Sequence, residues 1–453
     1  MAADPFVGPE MRPIMGANVG PNTGLSQIAC HFLKAILHNV ENPFEVKSTE
    51  EMLNVFQSYN VRREKEIVES ESVHIKPKFV GSMDIKSFYP SMNPRKAAKV
   101  CKLMWNRAGI DVKNVDLEKL SMYVGKEFEL ERLKLFGLEN VVHKKKLVIK
   151  ETQFKNQKKV YVWEKPVSFP SEAQVRTMIG LILENIIVLS MENHMYQFDN
   201  KIRLQSDGGI TGQSLTGLLA DVYMIWWDEK FHAKLKDLKY PLDVFTRFKD
   251  DIDIIGNILP PGTCYCKKND ELQYTNRTFK KIFENEFECE NPEERTMKIL
   301  QSIANHVDSM ISFTFDIPSN HQDQKMPVLD LKVYLNQDGI IFHKFYEKIT
   351  KNKFVILADS ALSWQSKRTI LTQEALRIMR NTSVKLDPDI LNSHLSRFML
   401  KLKDSGYSSK FRSEIIQSAK NAFNIQLEKD RKGIRPLFRD KAAILKNSEN
   451  KKR

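Results

Sequence analysis

Val244-Phe245-Thr246-Arg247-Phe248-Lys249-Asp250-Asp251-Ile252-Asp253-Ile254-Ile255-Gly256 is an apolar, strand-like run interrupted by two adjacent carboxylates. A carboxylate inside a β segment is costly unless it meets a cation or a base. Asp250 and Asp251 therefore read either as metal ligands or, more plainly, as the polar tip of a hairpin. A third aspartate favours the first reading. In Val80-Gly81-Ser82-Met83-Asp84-Ile85-Lys86-Ser87-Phe88-Tyr89-Pro90, Asp84 ends another strand-like run and leads into a turn marked by Pro90. Two strands that end in acid can form one site. Asp253, one strand period past Asp251, is expected on the face of Asp251 and not on that of Asp250.

The rest of the chain frames that pair. With 453 residues, 42% hydrophobic and 28% charged, it has the make-up of a soluble protein of two or three domains. Seventy Lys and Arg against 57 Asp and Glu leave a net charge of +13, which favours a polyanionic partner, nucleic acid first. The five cysteines, Cys30, Cys101, Cys264, Cys266 and Cys289, are too few and too irregular for a disulfide framework, and Cys264-Tyr265-Cys266 lacks a second pair for zinc. They read as reduced thiols of an intracellular protein. No apolar run is long enough to span a membrane, and the start, with Asp4 and Pro5, is not a signal peptide. A nuclear or cytoplasmic location without a membrane partner is expected.

Periodicity predicts helices at 25–39 and 50–59, with a cap at Ser48-Thr49, then a strand over 74–83. Further helices are expected at 96–108, 117–124 and 128–139. Leu147–Phe154 and Val160–Trp163 read as a basic β-hairpin carrying Lys144, Lys145, Lys146, Lys158 and Lys159. A solvated face explains any one of these lysines. Seven basic residues against one acid over 144–163 fit a phosphate backbone better. A helix at 171–193, a hairpin at 196–205 and a long apolar helix after Gly212 come next. A loop at 259–271 precedes helices at 277–287 and 292–310. Strands at 312–316, 328–334 and 340–346 and helices at 365–380, 387–404 and 408–426 complete the pattern. Residues 431–453 form a tail with nine basic residues and two acids. The expected divisions are 1–80, 80–350, 351–430 and that tail.

Asp84, Asp250 and Asp251 are what a two-metal phosphoryl-transfer site requires, because hard divalent cations such as Mg²⁺, or Mn²⁺ in its place, take carboxylate oxygens. Asp84 and Asp250 are expected to bridge the ions, with Asp251 less direct. Tyr89 would set a flat ring under a nucleotide sugar and clash with a 2′-hydroxyl, favouring deoxyribonucleotides. Phe88 beside it reads equally as a core aromatic. Gln205-Ser206-Asp207-Gly208-Gly209-Ile210-Thr211-Gly212 offers an amide and a glycine-rich approach able to hold a base pair or a phosphate, although a turn needing φ > 0 explains Gly208 and Gly212 as well.

In this order the motifs resemble those of reverse transcriptases, most of all those of Penelope-like retroelements. Arg12-Pro13-Ile14 matches that family's finger-palm Arg-Pro-Ile, and Met83-Asp84-Ile85 through Pro90 its first catalytic motif. Gln205 through Gly212 matches its Gln-x-Asp-Gly-x-x-x-Gly, Arg247-Phe248-Lys249-Asp250-Asp251 its Arg-Tyr-x-Asp-Asp, and Pro327-Val328-Leu329-Asp330 its primer-grip region. Phe342–Lys348, Ser360 and Phe398–Tyr407 also fall in register, so the match spans about residues 10–425.

The resemblance implies an α/β (α+β) right-hand polymerase: an antiparallel palm sheet on helices, shortened fingers and a helical thumb. It also implies an RNA template, a DNA primer and deoxynucleoside triphosphates as partners. Arg12 and Lys249 would touch nucleic acid, although Lys249 stands where the family has a small apolar residue. His321 and Lys325, before the primer grip, are candidate general acids toward pyrophosphate, or else plain loop residues.

Two other functions compete with this one. A family B DNA polymerase shares the Asp84 motif, but no Lys-x-x-x-Asn-Ser-x-Tyr-Gly helix and no Asp-Thr-Asp strand follows it. A catalytically silent nucleic-acid-binding descendant of such an enzyme fits the same motifs.

Overall fold

The computed structural model describes residues 23–69, 76–110, 146–149, 161–164, 172–192, 194–198, 201–205, 208–209, 213–274, 291–347, 355–382 and 388–431. The helices expected at 117–124, 128–139 and 277–287 lie outside these residues, as do Arg12, Lys144, Lys145, Lys158, Lys159, Gly212 and the tail from 432.

Helix α1 (Thr23–Asn39) buries Ala29, Phe32, Leu33 and Ile36, the i, i+3, i+4, i+7 stripe that its sequence shows. Helix α2 (Thr49–Glu69) begins where Ser48 Oγ accepts the Glu51 N–H at 3.2 Å, while the Glu51 carboxylate accepts the Lys47 N–H at 2.8 Å. Strand β1 (Lys78–Ile85) carries Asp84, and the turn at Pro90 is one helical turn, α3 (Phe88–Ser91). Asn93 caps α4 (Pro94–Arg107) by accepting the Lys96 N–H at 2.9 Å, with Pro94 at the first helical position.

Strands β2 (Lys146–Ile149) and β3 (Tyr161–Glu164) pair antiparallel within the expected basic hairpin. After α5 (Glu172–Glu192), β4 (His194–Phe198) and β5 (Lys201–Gln205) form a second hairpin, followed by α6 (Ser214–Asp237).

The run at 244–256 is two strands, β6 (Val244–Phe248) and β7 (Asp251–Asn257). The loop expected at 259–271 instead gives a hairpin, β8 (Thr263–Cys266) and β9 (Glu271–Tyr274). Helix α7 (Pro292–Val307) and β10 (Phe313–Asp316) lie where expected. The single strand expected at 328–334 breaks into β11 (Met326–Val328) and β12 (Leu331–Leu335), with β13 (Ile341–Phe345) beside β12. Both split runs share a cause. Lys249 and Leu329 adopt φ of +58° and +53°; the hairpin-tip reading of Asp250-Asp251 put a turn at the first, while no glycine marks the left-handed residue of either. Helices α8 (Trp364–Arg380), α9 (Pro388–Asp404) and α10 (Ser409–Arg431) end the described chain.

These elements form two units. The first comprises 1–42, 85–234 and 305–312, the second 43–84, 235–304 and 313–453. In the first, Trp105 of α4 meets Phe32 of α1 edge-on at 5.3 Å and donates its indole N–H to Arg176 O of α5 at 2.9 Å. Asp308 is buried there, accepting from Lys96, from the Tyr223 hydroxyl and from Met310 N–H, so its charge is fully compensated.

The second unit holds a sheet ordered β10-β1-β7-β6 and a three-stranded sheet ordered β11-β12-β13. One core joins α2 to both sheets through Met52, Phe56, Val80, Ile255, Val328 and Val333. A second core joins Phe345 to α8, α9 and α10. Among the described residues, no helix is long and apolar enough to cross a membrane.

Candidate metal and nucleotide site

Register decides how the acids meet. In the antiparallel β1–β7 pair, Asp84 is directly opposite Asp251, Ser82 opposite Asp253 and Val80 opposite Ile255. Strand β6 adds Phe248, Thr246 and Val244 to the same three rows. Cross-strand partners share a face, with Cβ atoms about 5 Å apart. The face therefore grades from an apolar row through a hydroxyl-and-acid row to an exposed acid pair. Two like charges directly opposed destabilise a sheet unless something positive lies between them. Asp250 sits with Lys249 in the two-residue turn between Phe248 and Asp251, and both are exposed. The register sets Asp251 on the face of Asp84, with Asp250 on the adjoining turn.

Asp253 falls on the face of Asp251, as the strand period requires, yet nothing in the sequence signalled its surroundings. It is 3% exposed, and its Oδ2 has no hydrogen-bond partner. Burial first, and the nearby Asp251 charge second, push its pKa up to about 8. Its burial follows from the second row's position against the apolar core, which only the tertiary packing reveals. The donor set suits a hard divalent cation, being all oxygen with two opposed carboxylates. Among the described residues, however, no three His, Cys, Asp or Glu side chains gather into a closed metal-holding group. The site is an open acid pair with a third acid on the adjoining turn.

In the first unit, Gly208 takes φ +74°, and a Cβ there would collide with the Pro90 carbonyl. Gly209 N–H donates to Tyr89 O at 2.7 Å. The two glycines thus clamp the Tyr89-Pro90 turn; Gly208 closely approaches the Pro90 backbone and Gly209 the Thr216 side chain. Phe88 is buried against Tyr223, with ring centroids 6.2 Å apart, and so packs as a core aromatic. Tyr89 is half-buried, and Gln205 ends β5 opposite His194.

In the second unit, His321 Nε2 lies 2.7 Å from Asp316 Oδ2. Lys325 Nζ sits 4.7 Å above the Tyr334 ring, where burial and then Lys344 lower its pKa. A groove of about 2030 Å³ runs between α2, β12–β13 and α8–α10. Several of its cations are already neutralised: Lys332 by Asp323 at 2.8 Å, Arg377 by Asp330 at 2.5 Å and Lys401 by Glu347 at 2.5 Å.

No protein-family model matches the chain, and no curated protein matches it. Among solved structures it is similar to the telomerase of Candida albicans in complex with a TWJ fragment of telomeric RNA. The identity is 11% and the TM-score 0.39, over 89% of this chain and 52% of that one. It is also similar to the apo telomerase of Candida tropicalis, with 11% identity and a TM-score of 0.35, over 88% and 54% of the two chains. The BmCPV RNA-dependent RNA polymerase at elongation state follows, with 8% identity and a TM-score of 0.27, over 77% and 24%. The chain spans about half the length of these two telomerase chains. All three TM-scores are below 0.5, so what the chain can do has to be read from its own acids and turns.

Proposed function

We propose that the chain is an RNA-directed DNA polymerase of the kind found in Penelope-like retroelements, adding deoxynucleotides to a primer 3′-hydroxyl on an RNA template. The supporting observation is the β1–β7 register, which brings Asp84 and Asp251 face to face across 166 intervening residues, with Asp250 on the adjoining turn. Asp84, Asp250 and Asp251 would hold two Mg²⁺ ions, or Mn²⁺ in their place. When bound, such ions stabilise the attacking oxygen and the leaving pyrophosphate.

The chain's own residues supply position. Gly208 and Gly209 hold the turn that presents Tyr89, whose ring screens the sugar for the lack of a 2′-hydroxyl, and Gln205 orients the template or the nucleotide pair. Lys325, whose pKa is lowered by burial and by Lys344, and His321, whose Nε2 lies 2.7 Å from Asp316 Oδ2, are the two candidate proton donors to pyrophosphate. Primer extension on an RNA template with Mg²⁺ tests the reading: extension is expected from the native chain and none from Asp250→Ala. Tyr89→Ala is expected to incorporate ribonucleotides more readily, and unchanged discrimination in an active variant would remove Tyr89 from that role.

One observation favours a second reading, a silent nucleic-acid-binding descendant: the open arrangement of the acids. RNA binding without Asp250-dependent extension would establish it.

A further inference from the structure

Arg247 is 1% exposed, one of the largest fully buried side chains of the second unit. Its main chain is bound on both sides. Arg247 N–H donates to Phe44 O at 2.8 Å, and Val46 N–H donates to Arg247 O at 2.9 Å. Its partner on β7 is Ile252, so it lies on the opposite face of the sheet from Asp84, Asp251 and Asp253. From that face its Nη1 donates to the Lys249 carbonyl at 2.8 Å.

That carbonyl belongs to the peptide joining Lys249 to Asp250. Lys249 adopts φ +58° with its side chain exposed, a conformation that L residues other than glycine resist. A buried guanidinium is costly to keep and is retained where its hydrogen bonds fix a geometry. Among the groups it holds is the peptide plane from which Asp250 leaves the turn.

We propose that Arg247 is a positioning residue whose guanidinium, acting through the Lys249 carbonyl, locks the left-handed turn and so holds Asp250 on the turn adjoining the Asp84–Asp251 pair, ready for cation binding. This rests on reading those acids as a cation site, and the experiment separates the two claims.

Mn²⁺ binding by the full chain is measured by titration calorimetry and by the Mn²⁺ paramagnetic resonance signal, for the native protein, Asp251→Asn, Arg247→Met and the double variant Arg247→Met/Lys249→Gly. Loss of binding in Asp251→Asn places the ion at the acids. Arg247→Met is expected to weaken it at least tenfold, and Lys249→Gly in that background to restore most of the loss, because glycine adopts the left-handed turn without help. A general packing defect would not be rescued by a glycine on the turn.

Native-like affinity in Arg247→Met overturns the proposal while leaving the cation site standing, and so does a loss that Lys249→Gly leaves unrepaired. Binding that is absent in the native chain, or indifferent to Asp251→Asn, overturns the cation site and the proposal with it. Should Arg247→Met fail to fold by circular dichroism, Arg247→Lys, which keeps a buried cation but shortens its reach, carries the same comparison.

Discussion

Lys249 stands where a glycine would be at ease. Its side chain is exposed and its φ is +58°, so replacing it sacrifices little packing and removes a conformational cost of about 1–2 kcal/mol, partly offset by the glycine's greater freedom when unfolded. Lys249→Gly is expected to raise stability by about 0.5–1 kcal/mol, read as a higher urea midpoint at an unchanged slope. A lower midpoint would mean that the turn is not strained.

Asp253 makes the opposite kind of claim, one visible only against pH. Its folded pKa of about 8 lies above its ordinary value of 3.8, so between those values the folded chain holds a proton that the unfolded chain has released. Stability then falls as pH rises from about 4 to about 8. With chelator present to exclude metals, Asp253→Asn is expected to stabilise the protein by up to about 4 kcal/mol near pH 7 and hardly at all at about pH 4. A gain independent of pH would mean that the carboxyl is not held protonated. The face that Asp253 occupies was legible from strand alternation alone. Its burial was not, because that depends on the core packed against the second row, which is assembled from distant segments.

Among the elements, legibility followed periodicity. The stripe in α1, the Ser48 cap of α2 and the hairpin of β4 and β5 all rest on local rules, and they fall where the sequence places them. The turn at Lys249 falls beside the hairpin tip that Asp250-Asp251 offered, whereas the break at Leu329 has no local signal and lies beside the Arg377–Asp330 ion pair. Gly208 was legible as a site of close approach, but not that the approach is to Pro90.

Strand β13 offers an element-scale test. His343 lies opposite Val333, and burial lowers its pKa from 6.5 to about 4. As pH falls below 6.5 the unfolded chain takes up a proton that the folded strand refuses, so stability present above 6.5 is lost on the way down to about 4. The loss is at most about 3 kcal/mol. His343→Phe, which keeps an apolar ring between the sheet and the groove, is expected to flatten this acid limb. An unchanged slope of stability between pH 6.5 and about 4 would show that His343 is readily protonated in the folded state.

For the whole molecule, the informative quantity is where the net charge resides. The stretch 144–163 has seven basic residues and one acid, and 431–453 has nine and two; their combined excess equals the chain's entire +13. Everything outside those two stretches is neutral on balance, in keeping with the ion-paired lining of the groove in the second unit. A polyanion is therefore expected to owe its salt-sensitive attraction to these two stretches. Every lysine or arginine that no longer meets a phosphate lowers the slope of log affinity against log salt by about 0.7 for a single strand and about 0.9 for a duplex. Replacing Lys144, Lys145, Lys146, Lys158 and Lys159 with glutamine is expected to reduce the slope for single-stranded RNA by up to about 3.5. Removing residues 431–453 as well is expected to leave a slope of no more than about 1.4, from Lys150 and Lys155. Fluorescence anisotropy across a salt series reads both. A slope steeper than that after both changes would mean that the neutral remainder carries its own phosphate track, and the groove cations now held by Asp323, Asp330 and Glu347 would be the first place to look for it.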